Sequence, residues 1–285
     1  MVQTSNDSGL TEQDLREYMA AFNRDDFDGF AKYYADNMIF EGRGRLFKGR
    51  EEMVNFYRTL KSRIRETVTI KEAAVGKNEM AVEIETELHA FEDWLTMPTG
   101  PMRKGEKIRS QNFVWYEIQN NKFMHIRSAH YRRLEASEPS AVETSSAQSS
   151  HALPPAMSKE RFAAYIDALN SEDYAAFSDY YRDDAVLVTA GKKELRGRQA
   201  ISDFHEFVKP LTKRTIQINR IITSGNLLAA ELQSKFIALQ DLPDFTAGPM
   251  KKGGCIFSDT FVLCNVFEGK FARIRSAEFR KAERP

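Results

Sequence analysis

The chain has 285 residues, is 42% hydrophobic and 11% aromatic, and balances 41 Lys plus Arg against 41 Asp plus Glu. That length allows one or two globular domains, each able to bury its own core. A net charge of zero gives no support to nucleic acid as a partner. No apolar run approaches membrane-spanning length or forms a signal segment, so the expectation is no membrane and a cytoplasmic location.

Residues 1–10 read as a polar leader. Thr11 is placed to cap a helix on which Leu15, Tyr18, Met19 and Phe22 recur at helical spacing. Phe27, Phe30 and Tyr34 mark a second helix, and a short strand is expected at 38–41. Lys48-Gly49-Arg50 then opens a third helix bearing Met53, Phe56 and Tyr57. Four longer strands follow. The first spans 67–73, and the second alternates Val82, Ile84, Thr86 and Leu88 with Glu83, Glu85, Glu87 and His89. The last two, 109–118 and 122–132, turn at Asn120-Asn121.

The same order is then written again. Ser158 precedes Phe162, Tyr165, Ile166 and Leu169; Tyr174, Phe177 and Tyr181 follow; Arg196-Gly197-Arg198 opens a helix with Ile201, Phe204 and His205, and 215–221 is the counterpart of the strand at 67–73. Gly100-Pro101-Met102-Arg103-Lys104-Gly105, with Ile126-Arg127-Ser128-Ala129 beyond it, recurs as Gly248-Pro249-Met250-Lys251-Lys252-Gly253 and Ile274-Arg275-Ser276-Ala277. The reading is one domain at 11–135, a flexible linker rich in Ser, Glu, Ala and Pro at 136–157, and a second domain at 158–283. Duplication implies an intramolecular pseudo-dimer, with further homo-oligomers open. Cys255 and Cys264, nine residues apart on one expected strand, are poorly placed to pair. No Cys/His ligand spacing points to a metal.

Tyr18-Met19-Ala20-Ala21-Phe22-Asn23 leading to Tyr33-Tyr34-Ala35-Asp36, and Tyr165 to Asn170 leading to Tyr180-Tyr181-Arg182-Asp183, carry a family likeness. Each copy resembles the NTF2-like superfamily, in its SnoaL-like and ketosteroid-isomerase-like branches. The resemblance implies an α+β fold: two tandem cones, each of three helices against a curved, mainly antiparallel sheet. It also implies chemistry without cofactors. Ketosteroid isomerases hold a substrate carbonyl between a first-helix tyrosine and a protonated strand aspartic acid, while another carboxylate moves the proton. By position, the tyrosine matches Tyr18 and Tyr165. Supporting tyrosines match Tyr34 and Tyr57 in one copy, Tyr181 and His205 in the other. The strand acid matches Asp259, with Gln111 in its place in the first copy. The general-base position falls on Gly42 and Thr189, which take no proton from carbon. Glu41 sits one residue away and by strand period aims at the opposite face.

A substitute base is sought on the last strand. If Ile126 and Ser128 face the cavity, so does His130, and Glu278 follows Ser276 in the same way; both are alternatively solvated strand ends. His205 is a second candidate base. Gln111, Thr189, Ser128, Ser276, Phe261 and Trp94 are the expected substrate contacts. The Gly-Pro-Met loop is expected to be either a lid covered by Trp94 and Met97, or by Leu242 and Phe245, or a plain connection. The resulting expectation is an isomerase, cyclase or dehydratase acting on a small apolar carbonyl compound, a polyketide, terpenoid or aromatic. Tyr165 and Asp259 would stabilise an enolate. The alternative is a non-catalytic ligand-binding or protein-interaction module.

Overall fold

The computed structural model describes residues 9–42, 44–97, 100–136, 138, 156–190 and 193–283. Most of the expected leader and of the linker at 136–157 lies outside those residues. The chain divides into two compact units of the same design.

In the first unit, α1 (Glu12–Asn23) starts at Thr11, whose hydroxyl accepts from the Asp14 amide while the Asp14 carboxylate accepts from the Thr11 amide. This reciprocal cap satisfies two helix-end donors. Its apolar stripe, Leu15, Tyr18, Met19 and Phe22, is buried. A short α2 (Phe27–Ala31), capped by Asp26, leads into β1 (Tyr34–Gly42), β2 (Arg45–Lys48) and α3 (Arg50–Lys61). Gly49, at φ 93°, makes the turn into α3 in a conformation that favours glycine. Four long strands complete the unit: β3 (Ile64–Val75), β4 (Glu79–Ala90), β5 (Lys107–Gln119) and β6 (Lys122–Leu134). The sheet order is β2-β1-β6-β5-β4-β3, with only β1 and β6 parallel among these pairs.

The second unit repeats the plan with α4 (Lys159–Asn170), α5 (Tyr174–Ser178), β7 (Tyr181–Val188), β8 (Glu194–Arg196) and α6 (Arg198–Val208). It ends in β9 (Thr212–Ser224), β10 (Leu227–Ala238), β11 (Cys255–Phe267) and β12 (Lys270–Glu283), ordered β8-β7-β12-β11-β10-β9. The α+β fold of two tandem domains expected from the sequence is the fold observed.

Two details differ from the sequence reading. Tyr34 and Tyr181 open strands rather than close helices, because α2 and α5 end three residues earlier. Short strands β2 and β8, hairpin partners of β1 and β7, were not expected.

One face of each sheet packs on the helices. On it lie Val68, Ile84, Val114, Tyr116 and Ile126 in the first unit, and Ile216, Leu232, Val262, Cys264 and Ile274 in the second. Asn23 and Asn170 tie the first helix of each unit to the sheet. Asn23 donates to the Val68 carbonyl and accepts from its amide, both at 2.8 Å; Asn170 does the same to Ile216 at 2.8 and 2.7 Å. Among the described residues no helix is long and apolar enough to cross a membrane.

Candidate active site

Strand alternation decides which side chains reach the helix-covered face. In the first unit they line a cavity of about 140 Å³ between α1, α3 and the sheet. Its polar groups are Tyr18, Tyr34, Tyr57 and Tyr116, the Glu66 carboxyl, the Arg45 guanidinium, and Asn112, Thr86 and Ser128. Phe22, Phe40, Phe47 and Phe56 supply apolar wall, and Met97 closes one side.

The Tyr18 and Tyr34 hydroxyls are 2.9 Å apart. Phe30, Tyr33, Tyr116 and Phe123 pack edge-on around the Tyr18 ring, which fixes its orientation. Burial pushes the phenols of Tyr18, Tyr34 and Tyr57 well up, and the negative charge of Glu66 adds to the rise in all three. Tyr116 is raised by burial and by Tyr18. These phenols stay protonated at neutral pH. They can donate to an oxyanion and cannot serve as bases.

A second polar group sits beside them. The Asn112 amide donates to Thr86 Oγ1 (3.1 Å) and Ser110 Oγ (3.2 Å), and its Oδ1 lies 3.3 Å from His130 Nδ1. His130 is exposed and is not among the cavity-lining residues, but it meets the lining residue Asn112. Gly42 lines the same space, and a Cβ there would lie 3.1 Å from Ser128 Cβ, so the wall is backbone. Glu41 turns away and lies 3.4 Å from His125. Trp94 pairs with Met102 through both backbone hydrogen bonds and packs on the cluster holding Met97 and Leu60.

In the second unit Tyr165 and Tyr181 form the equivalent pair, 2.6 Å apart, and burial pushes both phenols up. His205 packs on Phe177 and is pushed down to about 3, first by burial and then by Arg214. It is neutral at physiological pH and too weakly basic to accept a proton from carbon. Ser258 donates to Glu278 across the strand pair (3.1 Å), and Glu278 is exposed. Ser276 donates to the Val188 carbonyl, and the Thr189 hydroxyl accepts from the Lys193 amide in the β7–β8 turn.

Asp259 requires a correction. It does not face Tyr165. Val262 and Cys264 point to the helices, so by the period of two Thr260 and Ser258 point there as well and Asp259 points away. Its carboxylate accepts from Gln233 (2.9 Å) and pairs with Arg280 (3.6 Å). Gln111 is placed likewise, accepting from Arg132 at 2.7 Å. Phe261, stacked on Phe279 at 5.1 Å, is also on that far face and is not a wall of the cup. The inward residues at this level are Asn112 and Thr260, one position on.

Sequence reading also missed Glu66 and Arg214, because the expected strands at 67–73 and 215–221 began just beyond them. Extending the alternation of Ile70 and Val68 back by two reaches Glu66. The same step from Ile216 reaches Arg214. Among the described residues no group of three or more His, Cys, Asp or Glu side chains is placed to hold a metal ion.

A family model, described as the SnoaL-like domain, matches the chain twice, over residues 15–126 and 162–272. Solved structures with a similar fold include a candidate polyketide cyclase from Pseudomonas putida, with 18% identity and a TM-score of 0.38, covering 42% of this chain and 91% of that one. An epoxide hydrolase of LEH-like type from M. tuberculosis has 13% identity and a TM-score of 0.35, covering 41% and 80%. An NTF2-like protein of unknown function from Burkholderia pseudomallei has 16% identity and a TM-score of 0.35, covering 42% and 88%. No curated protein matches the chain. With both copies matched over nearly their whole length, the chain belongs to the SnoaL-like family and carries its domain in tandem.

Proposed function

We propose that the first unit is a cofactor-independent isomerase, cyclase or dehydratase site for a small apolar carbonyl compound. The observation that supports this reading is one cavity lined both by protonated phenols and by the Glu66 carboxyl. In that arrangement Glu66 takes a proton from the carbon next to the carbonyl. The electron pair of the broken C–H bond moves onto the carbonyl oxygen, which becomes an enolate oxyanion. Tyr18, held by Tyr34, and Tyr57 are the donors to it. Glu66 then returns the proton to a different carbon, or gives it to a departing hydroxyl that leaves as water. Atoms balance without any further reactant.

The division of labour follows from acidity. A carboxylate removes the proton, and donors in a water-poor cup lower the energy of the charge that develops, an effect typically of about 10²–10³ in rate per donor. The size of the cavity bounds the substrate. About 140 Å³ matches a single six-membered ring with small substituents. A polycyclic polyketide needs Met97 to move first.

The test is binding of phenols of graded acidity to a Glu66→Gln variant, in which the amide mimics the protonated acid. Affinity that tightens with phenol acidity, and that Tyr18→Phe weakens, is the expected result. Affinity indifferent to acidity and to Tyr18→Phe overturns the reading.

A further inference from the structure

The second unit carries a cation where the first carries Glu66. Arg214, on β9, is felt by the Tyr165 and Tyr181 phenols and by His205, so its guanidinium lies with them on the helix-covered side of the sheet. Its Nη2 donates to Ser234 Oγ at 3.1 Å, and its guanidinium lies over the Phe236 ring at 5.3 Å. Its Nε is buried and has no hydrogen-bond partner.

No carboxylate answers this charge among the described residues. The influences on Arg214 are burial, which lowers its pKa, and the two tyrosines. Of the acids on the neighbouring strands, Asp259 and Glu231 lie on the other face, bonded to Gln233 and Arg280 and to Arg220; Glu278 shares the helix-covered face but is exposed on β12 and accepts from Ser258, with Ser234 on β10 between that pair and Arg214. Arg214 is half-buried, so with its Nε shut away from water and no counter-charge it carries part of the desolvation cost of a buried ion. An anion that enters removes that cost.

We propose that the second unit binds a small organic carboxylate on the Arg214 guanidinium, with Ser234 and the Tyr165–Tyr181 hydroxyl pair as neutral partners. Three features select this class. The unpartnered Nε, beside a terminal nitrogen, offers the two parallel donors that a planar carboxylate accepts. Of the two phenols, one donates to the other and the second keeps its proton for the ligand. With His205 uncharged, one guanidinium neutralises one negative charge, which fits a monoanion better than a phosphate dianion. Phe236, which already packs on the guanidinium, is the apolar neighbour for the ligand body. This site is separate from the reaction assigned to the first unit.

The experiment is calorimetric titration of the intact chain with benzoate and cinnamate, against benzamide and cinnamide as neutral isosteres. The expected result is carboxylate binding at least about tenfold tighter than amide binding, reduced about tenfold or more in Arg214→Gln. Arg214→Lys keeps the charge and loses the fork, so it is expected to bind with intermediate affinity. Equal affinity for acid and amide, no carboxylate binding up to about 10 mM, or unchanged binding in both variants overturns the proposal. Thermal unfolding of each variant establishes that it is folded before titration.

Discussion

Glu66 on β3 and Arg214 on β9 occupy the same place in their two units and reverse its charge. Glu66 raises the phenols of Tyr18 and Tyr34, whereas Arg214 lowers those of Tyr165 and Tyr181 against the larger effect of burial. The tyrosine pair has been kept in both copies, and the charge facing it has not. Two cups whose tyrosine pairs face opposite charges do not hold the same ligand.

The uncompensated charge has a consequence for stability. Replacing a buried ion that lacks a partner with an apolar side chain of similar length removes a desolvation cost. Arg214→Met is expected to raise the stability of the second unit by about 1 kcal/mol, read as an increase in the denaturant midpoint at constant slope. A fall in that midpoint would contradict the assignment of Arg214 as unpaired.

His205 gives the second unit a pH dependence. Its folded pKa of about 3 lies below the ordinary value of 6.5, so the unfolded chain binds more protons between the two. The contribution to stability is fully present above about pH 6.5 and is lost as pH falls toward about 3. The size is roughly 2–4 kcal/mol, since each pKa unit is worth about 1.4 kcal/mol. His205→Gln should flatten the change in urea midpoint between about pH 6.5 and 4. An unaltered profile in that variant would place His205 in water.

The asparagine clamps carry a second stability prediction. Asn170→Ala leaves the Ile216 amide and carbonyl without their side-chain partner, and an orphaned buried backbone group costs about 1–3 kcal/mol. A loss of about 2–4 kcal/mol is expected, with Asn170→Asp failing to restore it because a carboxylate has no N–H to give the carbonyl. Full rescue by Asp would show that only the amide contact matters.

Gly42 tests the shape of the first cup. A Cβ there meets Phe40 and Ser128 at 3.1 Å, tighter than ordinary contact, and intrudes on the cavity wall. Gly42→Ala is expected to destabilise by about 1 kcal/mol, within the range for overpacking, and to weaken phenol binding. Tighter binding in Gly42→Ala would mean that the ligand sits elsewhere.

Much of the fold was legible because its signals are local and repeated. Thr11 and Ser158 as caps, the apolar stripes of α1 and α4, and the Asn120-Asn121 turn with φ of 51° and 56° follow from short-range chemistry. Asn23 and Asn170, read as part of a family string, have a physical reason in the clamp. The site was less legible, and the failure turned on strand faces. A single-residue shift carried Asp259 and Gln111 to the far side, where each pairs with an arginine. The bulges at Tyr131 and Phe279 lie on β6 and β12 and leave the alternation of β5 and β11 unbroken, so the miss came from a family match one residue off, which counting by two from Val262 and Val114 exposes. Glu66 and Arg214 lay just outside the expected strand ends. Whether such residues face a cup depends on how far the alternation continues, a property of the sheet rather than of the segment.

The role of Glu66 is tested most directly by deuterium uptake at the carbon next to the carbonyl of 2-cyclohexenone, followed by NMR in heavy water. Wild-type protein is expected to accelerate exchange above buffer, and Glu66→Gln to lower that acceleration by about 10²-fold or more, the usual contribution of a positioned base. Exchange in Glu66→Gln equal to that of the folded wild type would contradict the account and leave the first unit as a binding cup.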